Sequence, residues 1–372
     1  MAAEIIVNSK GAILLEDRRR ETRVQSNTPY TVDFYKNHRD GSRRSARQIV
    51  PLVLELVQPK SVIDVGCGVG TWLSVFNQCG VEDFYGIDGD YVDRNMLEIP
   101  AQRFFVSDLT EPIQLNRQFD LVVSLEVAEH LPDTCAEIFV DSLTKLGPVI
   151  LFSAAIPHQG GTHHVNEQWP EYWVKCFQAQ GYSVIDCIRS KIWANDNVEY
   201  CYAQNTFLFV RNDYLKKNAS LKAEQQSTNP ASLSIVHPNK YLEVIGWIQR
   251  LYTMSQEITA LIPPGDAFIL IDQGEFGNLF TPSYRAIPFL ERGGRYWKMP
   301  PDDATAVQEL ERLRRTGAVS IVFAWPAFWW LDHYHGFNQY LRSHFPCILD
   351  NERLVAFDLR QRRDSSASPE SV

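Results

Sequence analysis

The stretch SLEVAEHLPD, residues 124–133, contains the first group of side chains that could carry out chemistry. Two carboxylates and one imidazole, those of Glu126, Glu129 and His130, follow one another at positions i, i+3 and i+4. Side chains at this spacing share one face of a helical turn. Such a group could bind a metal ion, supply a general base, or form an ordinary solvated turn. These residues alone leave the three interpretations open.

A second polar segment, IPHQGGTHHVNEQWPEYW at residues 156–173, combines histidines, carboxylates and amides with aromatic rings. Gly160 and Gly161 predict that it forms a flexible loop. The apolar run PVILFS precedes this segment, and the apolar run FDLVV precedes the Glu-Glu-His turn. These are consecutive predicted strands. Both segments should therefore leave neighbouring strands at the same edge of a parallel sheet. We predict that this segment faces the first group.

The elements that would position these groups can be recognised from alternating patterns. Short apolar runs alternate with helical patterns over residues 45–211, and the runs suggest seven strands: SVIDV, DFYGIDG, RFFVSDL, FDLVVSLE, PVILFSAAIP, SVIDCIRSKIW and NTFLFVRN. Such alternation is typical of βαβ units and a largely parallel sheet. The fold class predicted is therefore α/β.

The segment DVGCGVGTW, residues 64–72, joins the first of these strands to a helix through a glycine-rich turn. A turn of this kind lets a ligand approach the backbone closely. Its glycines are Gly66, Gly68 and Gly70. Acidic residues lie at or near the ends of three successive strands: Asp64, Asp88 and Asp108. An acidic rim without a phosphate-binding lysine motif favours a positively charged nucleoside that carries no phosphate.

The segments VIDVGCGVGTW, GIDGD, VSDL and FDLVVSLEVAEHL resemble the ordered motifs of class I S-adenosylmethionine-dependent methyltransferases. The resemblance covers about residues 45–210. It implies a Rossmann-like seven-stranded sheet, an S-adenosyl-L-methionine (SAM) cofactor and transfer of a methyl group. By position, Asp64 and the glycine turn would hold the methionine part of SAM, and Asp88 would bind the ribose hydroxyls. Asp108 and Leu109 would flank the adenine.

The E-x-x-E-H turn with a later histidine is similar to the metal site of two methyltransferase groups. These are the small-RNA 3′-end 2′-O-methyltransferases and the ubiquinone-biosynthesis O-methyltransferases. The resemblance implies a divalent ion (Mg²⁺, Mn²⁺ or Zn²⁺) held by Glu126, Glu129, His130 and either His163 or His164, with His164 preferred. Two alternatives stay open. One is a metal-free base, His130 or His164, oriented by a glutamate such as Glu129, and the other is a purely structural turn.

The acceptor is predicted from the sequence around HVNEQWPEYW. This sequence resembles that of bacterial methyltransferases associated with surface-polysaccharide and natural-product biosynthesis. We therefore expect O-methylation of a small hydroxylated acceptor such as a sugar or a glycan intermediate. RNA 2′-hydroxyls are the alternative, supported by the basic stretch 36–47 and opposed by the net charge of −9. A non-catalytic scaffold is a third hypothesis, against which the intact motifs argue.

The whole chain is expected to divide into five segments. They are an N-terminal arm or lid (1–44), the methyltransferase domain (45–211), a linker or exposed helix (212–235), a small α/β domain (236–361) and a disordered tail (362–372). The small domain resembles uncharacterised α/β segments attached to glycan-modifying enzymes. Its aromatic cluster is expected to be mainly core, with a carbohydrate platform or a domain interface as alternatives. The cluster comprises Trp297, Trp325, Phe328, Trp329, Trp330 and Tyr334.

The composition also predicts a compartment. The 7 cysteines are scattered and form no CxxC pair, which favours a reducing environment. The first residues show no secretory signal, and no apolar run is long enough to span a membrane. These observations predict a cytoplasmic protein, and they predict no particular oligomeric state.

Overall fold

The computed structural model describes residues 5–7, 13–15, 32–273, 276 and 284–361, with side chains described from residue 40 onward. The chain forms two compact units, Met1–Tyr241 and Leu242–Val372. The predicted tail and most of the predicted N-terminal arm lie outside the described residues. Two short strands, β1 (Ile5–Val7) and β2 (Ile13–Leu15), pair in antiparallel fashion.

A seven-stranded sheet forms the centre of the first unit. Its strands are β3 (Ser61–Val65), β4 (Asp83–Asp88), β5 (Phe104–Val106), β6 (Leu121–Leu125), β7 (Val149–Ser153), β8 (Tyr182–Ile185) and β9 (Phe207–Arg211). The order in the sheet is β5-β4-β3-β6-β7-β9-β8, and only the pairs involving β9 are antiparallel. This confirms the predicted Rossmann-like sheet. After β3, the next two strands are added on one side of it, and β6 is added on its other side. The boundary between β3 and β6 is therefore the topological switch point of the sheet.

Helices cover the two faces of this sheet. They are α1 (Val32–Val57), α2 (Thr71–Gln78), α3 (Ala136–Leu146), α4 (Pro170–Ala179), α5 (Arg189–Ile192), α6 (Tyr200–Asn205), α7 (Asn212–Leu215) and α8 (Ala219–Ser227). The neighbours Val62 and Ile63 belong to different hydrophobic clusters, because successive strand residues point to opposite faces. One cluster packs under α1 and α2, and the other under α3 and α4.

Two boundaries in this unit differ from the sequence pattern. Helix α1 begins at Val32, well before Ser45, where the helical pattern becomes apolar enough to recognise. The segment 212–235 lies inside the first unit and forms α7, α8 and a 3₁₀ turn, Pro230–Ser232. Two of its apolar side chains attach it to the core: Leu221 is buried in one hydrophobic cluster and Leu233 in the other.

The second unit is an α/β domain, as predicted, and the structure shows that it has its own five-stranded sheet. After α9 (Pro238–Leu261), which begins before the boundary between the units, its elements follow in chain order. They are β10 (Ala267–Ile271), β11 (Arg285–Pro288), β12 (Glu291–Arg292), β13 (Arg295–Tyr296), α10 (Asp303–Arg315), β14 (Ala318–Ala324), α11 (Trp329–His333), α12 (His335–His344), β15 (Cys347–Asp350) and β16 (Leu354–Asp358). The order in the sheet is β11-β10-β14-β16-β15.

The aromatic residues of the second unit divide between core and surface. Trp330 and Tyr334 are buried in its main hydrophobic cluster, whereas Trp297 and Trp329 are exposed. Among the described residues of the whole chain, no helix combines the length and apolar character that crossing a bilayer requires.

Candidate active site

The glycine turn between β3 and α2 has a backbone that only glycine adopts readily. Gly66, Gly68 and Gly70 have φ values of 83°, 54° and 84°, all in the left-handed region that is costly for residues with a Cβ. A Cβ on Gly66 would also lie 2.4 Å from Cγ2 of Val127. The turn therefore needs glycine at position 66 for both its conformation and its packing.

Asp88, at the end of β4, holds this turn in place. Its carboxylate accepts hydrogen bonds from the backbone N–H groups of Gly68 (2.6 Å) and Gly89 (2.7 Å) and from the hydroxyl of Tyr91 (2.5 Å). Burial raises the pKa of Asp88, and these three hydrogen bonds act in the opposite direction. A carboxylate has about four acceptor positions, so the bonded Asp88 can still accept from a ribose hydroxyl.

A cavity of about 630 Å³ opens beside the turn, a volume typical of cofactor sites. It is lined by Gly66, Gly68, Asp88, Gly89, Asp90, Tyr91, Val106, Ser107, Asp108, Leu109, Thr110, Glu126, Val127, His130 and Leu131. Most of the residues predicted to bind the cofactor therefore lie in its wall. Asp64 and Gly70 do not. Asp64 is instead buried in β3, where burial and then the charge of Asp88 raise its pKa.

Asp108 and Leu109 lie on the wall formed by the segment after β5. The exposed Asp108 carboxylate accepts hydrogen bonds from the backbone N–H of Thr110 (2.9 Å) and from its hydroxyl (2.7 Å). Leu109 is buried and contributes an apolar surface. This pairing of an acceptor with an apolar surface suits the predicted adenine contact, which stays a prediction.

Glu126 follows β6 and is held by buried amides. Its φ is 54°, and its two carboxylate oxygens accept hydrogen bonds from Gln159 Nε2 (2.8 Å) and Asn205 Nδ2 (3.2 Å). Asn205 also donates to Gln159 Oε1 (2.8 Å), and Gln204 joins the same network. The motif analysis missed these amides, because Asn205 is distant in sequence and only the fold brings it to this edge.

Glu129, unlike Glu126, is not held by amide donors. Its side chain is fully buried, and neither carboxylate oxygen has a hydrogen-bond donor among the described residues. Burial raises the pKa of Glu129 well above its usual range, the neighbouring Glu126 raises it further, and the nearby backbone N–H groups of Glu129 and Ala155 act in the opposite direction. A buried carboxyl group without donors is costly to ionise unless a cation balances its charge.

His130 and His164 complete a group with Glu129. Their rings lie 4.8 Å apart at 88° to each other, and potential ligand atoms of Glu129, His130 and His164 all lie within 4.8 Å of one another. Burial, followed by the charge of His164, lowers the pKa of His130 to about 4. His130 is therefore neutral at physiological pH and keeps a lone pair on one ring nitrogen.

Three of the four residues predicted as metal ligands have potential ligand atoms within 4.8 Å of one another. The structure groups Glu129 and His130 with His164, not with the exposed His163. Glu126 lines the cavity, with its carboxylate bonded to amides. One further residue escaped the sequence analysis: Glu167 Oε1 lies 2.8 Å from Nδ1 of His164.

Residues 35–186 match the family model for a methyltransferase domain. Together with the seven-stranded sheet and its glycine turn, this match identifies the region as a class I SAM-dependent methyltransferase domain. The chain therefore contains a SAM-dependent methyltransferase domain. The second unit lies outside the matched residues.

Several solved structures are similar to about half of this chain. Streptomyces venezuelae DesVI is 16% identical, with 48% of this chain and 96% of that chain covered and a TM-score of 0.36. The sugar N-methyltransferase KedS8 from Streptoalloteichus sp. is 15% identical, with 53% and 99% covered and a TM-score of 0.41. The methyltransferase domain of bacterial CtHen1 is 21% identical, with 45% and 97% covered and a TM-score of 0.33. No curated protein sequence matches the chain.

Proposed function

We propose that this protein transfers the methyl group of SAM to a hydroxyl oxygen of a small acceptor, such as a sugar or a glycan intermediate. We further propose that Glu129, His130 and His164 hold a divalent cation. The observation that carries the proposal is the buried Glu129 carboxyl group, which has no donor among the described residues and lies beside two imidazoles. His130 belongs both to this group and to the cavity wall.

The donor set suits Mg²⁺, Mn²⁺ or Zn²⁺. One carboxylate and two imidazoles are ligands that such ions accept, and the cation would balance the charge of buried Glu129. Glu129, His130 and His164 would hold the cation, which would supply Lewis-acid chemistry to an acceptor hydroxyl. The low pKa of His130 keeps its ring deprotonated and available as a ligand.

The residues of the chain supply orientation and proton acceptance. Asp88 and the glycine turn shape the wall where the cofactor would lie. As the new carbon–oxygen bond forms, the hydroxyl proton must leave the acceptor. Glu126 is a carboxylate in the cavity wall that can accept it. Proton transfer is most efficient when the pKa of the base lies near the working pH, so a pKa of about 4 makes His130 a poor base without further help.

RNA receives less support as an acceptor. Within the basic stretch 36–47, Arg43 forms an ion pair with Glu98, and Arg44 pairs with Glu199 at 2.7 Å. These two arginines are thus partly neutralised, and the net charge of −9 opposes nucleic-acid binding.

A labelled-methyl screen tests the proposed function. Purified protein is incubated with methyl-labelled SAM and with nucleotide sugars, oligosaccharides, phenols and short RNAs, and each product is analysed for the methylated atom. We expect label on a hydroxyl oxygen of a sugar-containing acceptor, and none with the Asp88→Asn variant. Label on RNA alone, or on nitrogen alone, would contradict the proposal.

A further inference from the structure

Glu167 is tied to the loop that carries His164 by three contacts. Its Oε1 lies 2.8 Å from Nδ1 of His164 and also accepts a hydrogen bond from the backbone N–H of Gly160 (2.8 Å). Its Oε2 accepts from the backbone N–H of His158 (2.7 Å). Both carboxylate oxygens are thus used as acceptors, and the imidazole nitrogen beside them is Nδ1.

Gly161 packs against the side of the ring that carries the other imidazole nitrogen, Nε2. A Cβ at position 161 would lie 2.2 Å from Nε2 of His164 and 2.4 Å from its Cε1. Any side chain here would therefore have to displace the ring or the loop. Gly160 provides a contrast in the same loop, since a Cβ there would meet no atom within 4 Å.

We propose that Glu167 is a positioning residue that, with Gly161, makes Nε2 the nitrogen through which His164 acts in the group with Glu129 and His130. The inference rests on the proposed function, since that function gives His164 its role as a ligand. Neither Glu167 nor Gly161 contacts the reacting atoms in this account. Both act through the imidazole of His164.

A neutral imidazole carries a single N–H proton, on either Nδ1 or Nε2. A carboxylate at Nδ1 accepts a hydrogen bond and so favours the Nδ1–H tautomer. The lone pair then resides on Nε2, where a cation can use it. Carboxylate–histidine pairs of this kind orient metal ligands, and their loss typically weakens metal binding by about 10- to 100-fold.

Glutamine at position 167 cannot reproduce this arrangement. The carboxylate uses one oxygen for His158 and the other for Gly160 and His164. In Glu167→Gln one of these positions becomes an NH₂ group that faces a backbone N–H. The amide also lacks the charge that favours a proton on Nδ1. Glu171 offers a matched control, because it lies in the first turn of α4 and bonds to Ser234.

The first test reads the tautomer of His164 directly. Nitrogen-15 NMR is recorded on the full-length, metal-free protein, and the His164 signals are identified by their loss in His164→Gln. We expect Nδ1–H in the wild type and in Glu171→Gln, and a gain of the Nε2–H form in Glu167→Gln. A wild-type His164 protonated at Nε2, or an unchanged spectrum in Glu167→Gln, would overturn the inference.

The second test measures metal affinity by calorimetric titration with Mn²⁺ and, separately, Zn²⁺. Glu167→Gln and Gly161→Ala should weaken binding by about 10- to 100-fold. Glu171→Gln should stay within about threefold of the wild type, a shift well below one tenfold step of affinity. Gly160→Ala carries the cost of a left-handed backbone (φ 70°) without a clash, so it should lose less affinity than Gly161→Ala. Equal losses in Gly161→Ala and Gly160→Ala would contradict the role of Gly161.

The two tests separate this inference from the proposed function. If the wild type binds neither ion, the cation site of the proposed function fails. The tautomer of His164 still decides the role of Glu167, because that measurement needs neither metal nor acceptor.

Discussion

At the residue scale, Glu126 and Glu129 illustrate how two carboxyl groups on one turn acquire different chemistry. Amide donors from Gln159 and Asn205 contact Glu126, whereas Glu129 is buried without a donor among the described residues. Two neighbouring carboxyl groups with environments as different as these often have different chemical roles. Here Glu126 is suited to contact the acceptor from the cavity wall, and Glu129 is suited to bind a cation.

Replacing Glu129 by Gln should change how the stability of the metal-free protein depends on pH. Burial raises the pKa of Glu129 in the folded state above its unfolded value. Between those two pKa values the folded protein binds more protons than the unfolded chain. The stabilisation from this group is therefore complete below the unfolded pKa and is lost as pH rises through the folded pKa.

Urea unfolding of chelator-treated protein from pH 4.5 to pH 8 checks this expectation. Glu129→Gln should be more stable than the wild type at pH 8, by about 1–3 kcal/mol if the ionised group is uncompensated. The difference should shrink toward pH 4.5. Glu137→Gln, on an exposed surface, serves as the control and should follow the wild type. A constant difference across this pH range would contradict the assigned cause.

Replacing Asp88 by Asn should weaken SAM binding. The Asn side chain cannot accept from Gly68, Gly89 and Tyr91 as the carboxylate does, and it also loses the charge for a ribose hydroxyl. Hydrogen bonds to charged groups contribute about 1.5–3 kcal/mol, so affinity should fall at least about tenfold. Calorimetry measures the change, with Asp196→Asn in an exposed loop as the control. Unchanged affinity in Asp88→Asn would remove Asp88 from the site.

At the scale of elements, the glycine turn links β3 to α2 and also contacts the turn that carries Glu126. Gly66 and Gly80 are both left-handed, with φ values of 83° and 98°. A Cβ would lie 2.4 Å from Val127 at Gly66, whereas at Gly80 it would meet nothing within 4 Å. An alanine at either position would therefore have an unfavourable left-handed backbone, but only an alanine at position 66 would also clash with a neighbour.

Gly66→Ala should accordingly destabilise the protein more than Gly80→Ala. Each alanine should cost about 1–2 kcal/mol for its left-handed backbone, and Gly66→Ala should lose about 1–3 kcal/mol more through overpacking. Equilibrium urea unfolding measures both values. Gly66→Ala should also weaken SAM binding, and Gly80→Ala should not. Equal losses at the two positions would show that the contact with Val127 is unimportant.

The local patterns of the sequence were sufficient to predict most elements. Apolar runs predicted the strands of the main sheet, and Gly80 and Gly181 correctly marked the ends of α2 and α4. Patterns of this kind depend on neighbours in sequence, so they could not reveal that β9 is antiparallel or that α1 starts at Val32. The same reason explains the candidate site. The E-x-x-E-H spacing pointed to its centre, but the partners of Glu126 are contributed by the fold.

At the scale of the whole molecule, each unit has hydrophobic clusters of its own. The clusters of the first unit end at Leu233, and those of the second begin at Met254. Every residue that lines the SAM cavity belongs to the first unit. The cofactor site should therefore depend on the packing of the first unit alone.

Two matched core variants test this independence. Phe152 in β7 and Phe323 in β14 are both fully buried phenylalanines in central strands. Truncation of either to Ala should cost about 3–5 kcal/mol within its own unit. We expect Phe152→Ala to weaken SAM binding and Phe323→Ala to leave it unchanged, as measured by calorimetry below the unfolding temperature. A SAM affinity that falls in Phe323→Ala would show that the units are coupled.

The measurement that tests the central claim most directly is methyl transfer before and after chelation. The rate of transfer from labelled SAM to the best hydroxylated acceptor is measured in EDTA and again after Mg²⁺, Mn²⁺ or Zn²⁺ is restored. We expect the wild-type rate to fall by at least about tenfold in EDTA, which corresponds to about 1.4 kcal/mol of lost transition-state stabilisation, and to recover with one of these ions. Glu129→Ala should stay slow under both conditions. An undiminished wild-type rate in EDTA would contradict a cation held by Glu129, His130 and His164.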